Sequence, residues 1–208
     1  MGSGVHEAGR RFLSLVREDI VAAAPTNAGI ASGLARLDAV MALESFADKP
    51  CTPQRTVGCK WVEAGAAMLE RTQPDLVGVI GELKDRLSWH ANAAYPEDKF
   101  APGYFDDWAF TQVIGPDGLF SADDLMLGMF AMGPNLFYPK HNHSAPELYY
   151  QLTGTHKWQV GDGPWVTRSS PVMIWHDAYE VHATETLKEP FLSIWMWTED
   201  VYNWPVLV

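Results

Sequence analysis

Positive charge is scarce in this chain. Fifteen Lys and Arg stand against 26 Asp and Glu, for a formal net charge of −11. Nucleic-acid binding needs basic side chains to neutralise phosphates, so no nucleic-acid partner is expected. An anionic membrane surface is disfavoured for the same reason. The acidity serves solubility and leaves room for attraction of a cationic small molecule. Cysteine is nearly absent: Cys51 and Cys59 are the only two. They lack a C-x-x-C spacing, so a disulfide framework is not expected. No apolar run is long enough to span a bilayer. The first residues, Met1 to His6, carry no apolar core of a signal peptide. Internal repeats and low-complexity stretches are missing too. The expectation is a soluble, cytoplasmic protein without a membrane partner, a monomer or homodimer.

What is present divides into two textures. Hydrophobic residues make up 47% of the chain, enough for a substantial core. Up to about residue 95 the apolar residues recur at helical spacing. Phe12, Leu13, Val16 and Ile20 mark a first helix. A second carries Ile30, Leu34, Leu37 and Val40, with Thr26 or Asn27 as its cap. Trp61, Val62, Ala66 and Leu69 suggest a third, and Pro74 opens a fourth. After Pro96, aromatic and β-branched residues come in short runs separated by Gly, Pro and Asp. Expected strands are Trp108–Ile114, Leu125–Met132, Glu147–Leu152, Lys157–Val160, Val172–Trp175, Tyr179–Thr184 and Phe191–Thr198. Short strands at this spacing imply a sandwich or small barrel. The expected division is a helical extension over residues 1–95, covering a barrel over 96–208. The boundary falls within Asn92–Pro102.

One run of residues carries the chemistry: His141-Asn142-His143-Ser144-Ala145-Pro146-Glu147-Leu148-Tyr149. Alternate residues of a strand share a face, so His141 and His143 project together. Glu147 and Tyr149 have the same parity and join them if the strand resumes in register after Pro146. Two imidazoles and a carboxylate aimed at one point make a site for a divalent metal ion. His182, in a later strand-like segment, offers a fourth ligand.

The spacing His141-x-His143-x3-Glu147-x6-Gly154 resembles the cupin signature. The signature's leading glycine is missing, since Gly133 lies two residues too far upstream. A looser second motif runs from Pro171 to His182. His176 is a rival for its final histidine, but a strand directly follows His182, whereas Asp177-Ala178 reads as a turn. Within cupins, the run Phe137-Tyr138-Pro139-Lys140-His141 through Tyr150 is similar to bacterial dimethylsulfoniopropionate lyases of the DddL and DddQ types. These carry a tyrosine two residues after the metal-binding glutamate, here Tyr149. Some carry another before the first histidine, here Tyr138. The resemblance implies a mainly β, jelly-roll-like cupin barrel holding one divalent ion (Fe, Zn, Mn, Co or Ni). It implies cleavage of dimethylsulfoniopropionate to dimethyl sulfide and acrylate.

That chemistry can be set against the residues. The substrate is zwitterionic, a carboxylate joined through two carbons to a sulfonium. A metal at His141, His143, Glu147 and His182 would offset the carboxylate charge. Tyr149 is the expected general base and Tyr138 an aid to substrate binding or proton transfer. A free phenol titrates near pH ~10, so a neighbouring cation is needed to make phenolate accessible. The sulfonium cannot donate a hydrogen bond, but an aromatic face attracts it by about 0.5–2 kcal/mol. Tyr138, Phe191, Trp195 and Trp197 are candidates, the last three on one face of a strand. Lys140 is either a partner for the substrate carboxylate or a solvated loop lysine. Two other classes fit the same residues: another cupin enzyme, such as a dioxygenase or isomerase, and a non-catalytic small-molecule sensor.

Overall fold

The computed structural model describes residues 3–43, 46–91 and 95–208. The first three residues of the expected domain boundary, 92–94, lie outside the described residues, as do Met1 and Gly2. Four helices come first: α1 (Ser3–Ala23), α2 (Ala28–Met41), α3 (Cys59–Leu69) and α4 (Pro74–Leu83). In α1, Ala8, Phe12, Val16 and Ile20 are buried at four-residue spacing, one stripe of an amphipathic helix. The cap of α2 is Asn27, whose side chain accepts from the backbone N–H groups of Gly29 and Ile30. Pro74 opens α4, where its missing N–H costs nothing.

Among the described residues, eleven strands follow: β1 (Trp89–His90), β2 (Trp108–Ile114), β3 (Leu125–Met132), β4 (Phe137–Asn142), β5 (Glu147–Gln151), β6 (Thr155–Val160), β7 (Val166–Ser169), β8 (Val172–His176), β9 (His182–Thr186), β10 (Phe191–Thr198) and β11 (Val206–Leu207). They form two antiparallel sheets, ordered β1-β2-β3-β10-β5-β8 and β11-β4-β9-β6-β7. Jelly-roll connectivity of this kind is the double-stranded β-helix of cupins, the expected mainly β class with a helical N-terminal part.

The parity of the larger sheet divides two cores. Along β10, Phe191, Trp195 and Trp197 face the barrel interior, while Leu192, Ile194 and Met196 face outward. Along β5, Tyr149 points in and Leu148 and Tyr150 point out. The outward residues share one apolar core with Phe12, Leu37, Val62 and Ile80 of the helices. Each fully buried aliphatic side chain there contributes roughly 1.5–3 kcal/mol. The approach of α2 to β8 requires glycine: a Cβ on Gly29 would lie 2.3 Å from the Trp175 indole. Among the described residues, no helix is long and apolar enough to cross a membrane.

Two expectations need correction. The strand expected at Tyr179–Thr184 begins only at His182 and runs to Thr186. Residues 177–181 form a turn instead. Tyr179 has a left-handed φ of 62°, and its N–H donates to His143 O at 2.8 Å. The strand carrying His141 also does not resume in register after Pro146. β4 ends at Asn142, and the chain crosses to the opposite sheet before Glu147 opens β5.

Candidate functional site

The histidines and Glu147 converge from both sheets. His141 on β4 is the direct cross-strand neighbour of His182 on β9. His143 follows β4, and Glu147 reaches in from β5. The three imidazoles are buried and offer nitrogens within 4.8 Å of one another. His176, the rival for the last position, is not part of that cluster. It ends β8 beside Glu147 and lies flat against His182, with ring centroids 4.1 Å apart and planes 9° apart.

Each clustered imidazole is held by a backbone carbonyl two residues away. His141 Nδ1 donates to Pro139 O at 2.9 Å, His143 Nδ1 to Ala145 O at 2.8 Å and His182 Nδ1 to Glu180 O at 2.8 Å. A carbonyl can only accept, so Nδ1 carries the proton and Nε2 is left to face the site. Glu147 is oriented from behind: its Oε1 accepts from Trp197 Nε1 at 2.7 Å. Its Oε2 lies 3.0 Å from His143 Nε2 and 3.3 Å from His182 Nε2. His182 Nε2 is buried and has no hydrogen-bond partner among the described residues.

The electrostatics favour positive charge at this point. Burial opposes ionisation of Glu147, but His143 and His182 outweigh it and hold the carboxyl well below its usual range. Burial also opposes a charge on His143, yet the Glu147 carboxylate raises it above its ordinary value. His141 is pushed well below its ordinary value by burial and by His182. Three buried imidazoles, two of them with Nε2 within 3.3 Å of one buried carboxylate, are a donor set that suits a single divalent cation. A buried three-histidine cluster in this fold is compatible with a metal site.

Beside the cluster lies a cavity with about 390 Å³ of space free of protein atoms, its open mouth included. Trp108, Phe110, Phe130, Tyr138, Tyr149, Trp195, Trp197, Trp204 and Pro205 line it, with Glu147 as its acidic group. Tyr138 and Tyr149, the two expected catalytic residues, are thus brought together with the clustered histidines. Tyr138 stacks on His141, with ring centroids 4.1 Å apart. Its hydroxyl shares a 2.8 Å hydrogen bond with that of Tyr95. Burial first, and the Glu147 charge after it, raise the Tyr149 phenol well above its ordinary range. Of the expected sulfonium-binding residues, Trp195 and Trp197 line the cavity. Phe191 does not: it packs among Phe130, His156 and Trp158 deeper in the barrel. Lys140 does not either: its ammonium pairs with Asp162 at 2.7 Å on the surface.

Sequence reasoning missed Trp108, Phe110 and Phe130 as lining residues, although both strands that carry them were delimited correctly. Both faces of those strands are apolar, so periodicity could not say which face was inward. Trp204 and Pro205 follow the last expected strand and reach the cavity because β11 pairs with β4. No local pattern signals that pairing. Tyr95 was missed as well; it lies just after residues 92–94, in a stretch without periodicity.

A jelly-roll barrel with a buried histidine cluster opening on an aromatic cavity places the protein among the cupins. Within them, the sequence model of dimethylsulfoniopropionate lyase matches residues 32–193. The chain belongs to that family, whose members are carbon–sulfur lyases. Dimethylsulfoniopropionate lyase DddQ of Ruegeria pomeroyi is 29% identical over 172 residues, which cover 79% of this chain and 81% of the relative. A putative dimethylsulfoniopropionate lyase DddL of Cereibacter sphaeroides is 26% identical over 129 residues, or 61% of this chain and 53% of the relative. The crystal structure of Ruegeria pomeroyi DddQ superposes with a TM-score of 0.69, covering 96% of each chain at 24% identity, and shows the shared fold.

Proposed function

We propose that this protein cleaves dimethylsulfoniopropionate into dimethyl sulfide and acrylate by β-elimination. The observation that carries the reading is the aromatic cavity that opens onto Glu147 and Tyr149 beside the three clustered histidines. Family membership supports it. His141, His143, His182 and Glu147 would hold one divalent first-row ion. When bound, that ion supplies Lewis acidity toward the substrate carboxylate and offsets the Glu147 charge that keeps Tyr149 protonated.

The protein's own groups account for the remaining tasks. The indoles of Trp195, Trp197 and Trp204 line the cavity and would attract a cationic sulfonium, each ring-face contact contributing about 0.5–2 kcal/mol. The apolar walls exclude water, which strengthens every charge interaction inside. Tyr149, as phenolate, takes the proton from the carbon next to the carboxylate. The freed electron pair forms the C=C bond, and the carbon–sulfur bond breaks with its pair going to sulfur. Dimethyl sulfide leaves neutral, so no general acid is needed. Tyr138, tied to Tyr95, orients the substrate from the opposite wall.

Headspace gas chromatography on purified protein mixed with dimethylsulfoniopropionate tests the reading. Dimethyl sulfide release should disappear on chelation and return with added Fe(II), Mn, Co, Ni or Zn. No release with any of these ions would sink the lyase reading and leave the oxygenase, isomerase and sensor readings to be tried on the same barrel.

A further inference from the structure

Behind His182 stands a pair of side chains that the proposed chemistry does not use. His176 is fully buried, and its Nδ1 donates to Glu180 Oε2 at 3.0 Å. The backbone carbonyl of the same Glu180 accepts from His182 Nδ1 at 2.8 Å. One residue therefore holds the Nδ1 atoms of two imidazoles, by its side chain and by its main chain. The two rings lie nearly parallel, with centroids 4.1 Å apart. Neither Nε2 has a hydrogen-bond partner among the described residues. The turn that carries Glu180 is itself anchored to the site. Tyr179 N–H donates to His143 O at 2.8 Å, and Glu180 N–H donates to Asp177 O at 3.0 Å.

We infer that His176 and Glu180 are positioning residues for His182. A single backbone hydrogen bond fixes one edge of the His182 ring but leaves it free to pivot about that bond. The flat face of His176 removes the pivot, and Glu180 keeps His176 in plane. Trp158 packs beside His176, with ring centroids 6.0 Å apart. The result is an imidazole whose Nε2 stays aimed at Glu147 before any ligand arrives. The inference rests on the reading that His182 is a metal ligand, and it names the groups that make the ligand rigid. Groups that orient ligands in this way typically contribute roughly 10–100-fold to metal affinity.

Co(II) is the probe, because its visible absorption reports the ligand field directly. The full-length protein is stripped with a chelator and titrated with Co(II), and unfolding of each metal-free variant is followed by circular dichroism. His182→Ala should lose most of the affinity. His176→Ala should bind Co(II) about 10-fold more weakly, with an altered d–d band. His176→Phe keeps a flat ring in the stack and should recover to within about threefold of wild type. Glu180→Ala changes a side chain only 32% exposed but on a surface turn; it should weaken binding several-fold without loss of fold. A folded His176→Ala protein with wild-type affinity and spectrum would reduce His176 to filler and overturn the inference. His176→Phe as damaging as His182→Ala would make His176 a ligand, overturning it differently. If His182→Ala itself bound Co(II) normally, the ligand reading would fall, and this inference with it.

Discussion

Replacing Trp197 with phenylalanine separates the aromatic wall from the support of the carboxylate. The indole N–H donates to Glu147 Oε1 at 2.7 Å, and both groups are buried. Phenylalanine keeps a ring beside His143, where the centroids are now 4.4 Å apart, and removes only the donor and part of the ring. A hydrogen bond to a charged group contributes about 1.5–3 kcal/mol net, and a buried acceptor left unpaired costs its desolvation. Taking about 2 kcal/mol, the metal-free Trp197→Phe protein should lose that much in urea-unfolding free energy. The pH dependence follows in sign. The folded-state pKa of Glu147 is depressed, so its contribution to stability is present above the unfolded carboxylate value and is lost as pH falls. Losing the donor moves that pKa upward, so acid unfolding should begin at higher pH. Freed of its tether, the carboxylate also samples more orientations, and Co(II) affinity should fall roughly tenfold or more. A stability change below about 0.5 kcal/mol would refute the energetic argument. Tighter Co(II) binding would refute the orientational one, since Trp197 would then only be tempering the basicity of Glu147.

Three further outcomes are expected. Tyr149→Phe should abolish dimethyl sulfide release while metal content by elemental analysis stays near wild type; loss of metal would make Tyr149 a structural or ligating residue. Trp204 is 42% exposed yet lines the cavity, so Trp204→Ala should raise KM for the sulfonium substrate about 2–30-fold, the range of one cation–π contact. Inhibition by 4-methylpentanoate, which carries a neutral carbon in place of the sulfonium sulfur, should change less, and equal losses for both would mean simple loss of apolar area. His156 is buried, and burial pulls its pKa down to about 4. Because this folded-state value is depressed, the unfolded chain takes up the proton first as pH falls below about 6.5. Wild-type stability should therefore decline by up to about 1.4 kcal/mol per pH unit between those limits on this account. His156→Gln should lack that part of the decline in urea titrations, and identical slopes would show that His156 is not held neutral.

The strands β2, β3 and β10 were legible to the residue because aromatic and aliphatic runs stop at Gly, Pro or Asp. Strand β4 was not, although it carries His141. Pro139, Lys140 and Asn142 dilute its apolar pattern, and pairing to β9 and β11 holds it in place. Strand β7 is exposed along its whole length and shows no alternation to read. The three clustered histidines and Glu147 were legible from type and spacing, but the route by which Glu147 arrives was not. Parity along one strand suggested a shared face, whereas the site is closed across the barrel from the opposite sheet.

That difference bears on how the site is built. The Nδ1 bonds of His141, His143 and His182 go to carbonyls of residues 139, 145 and 180, each two positions away. The orientation of each ring is therefore set by a few consecutive residues. Convergence is set by pairing between distant ones: His141 opposite His182 between β4 and β9, and Glu147 from β5, tied to Trp197 of β10. Local geometry selects which nitrogen is offered, and sheet closure brings the nitrogens within reach of one carboxylate. A substitution that pushes α2 away from β8, such as alanine at Gly29 against Trp175, should disturb the strand that ends at His176 and lower metal affinity without changing any of the clustered histidines. A substitution at Pro139 or Ala145 should disturb chiefly the imidazole of its neighbouring histidine.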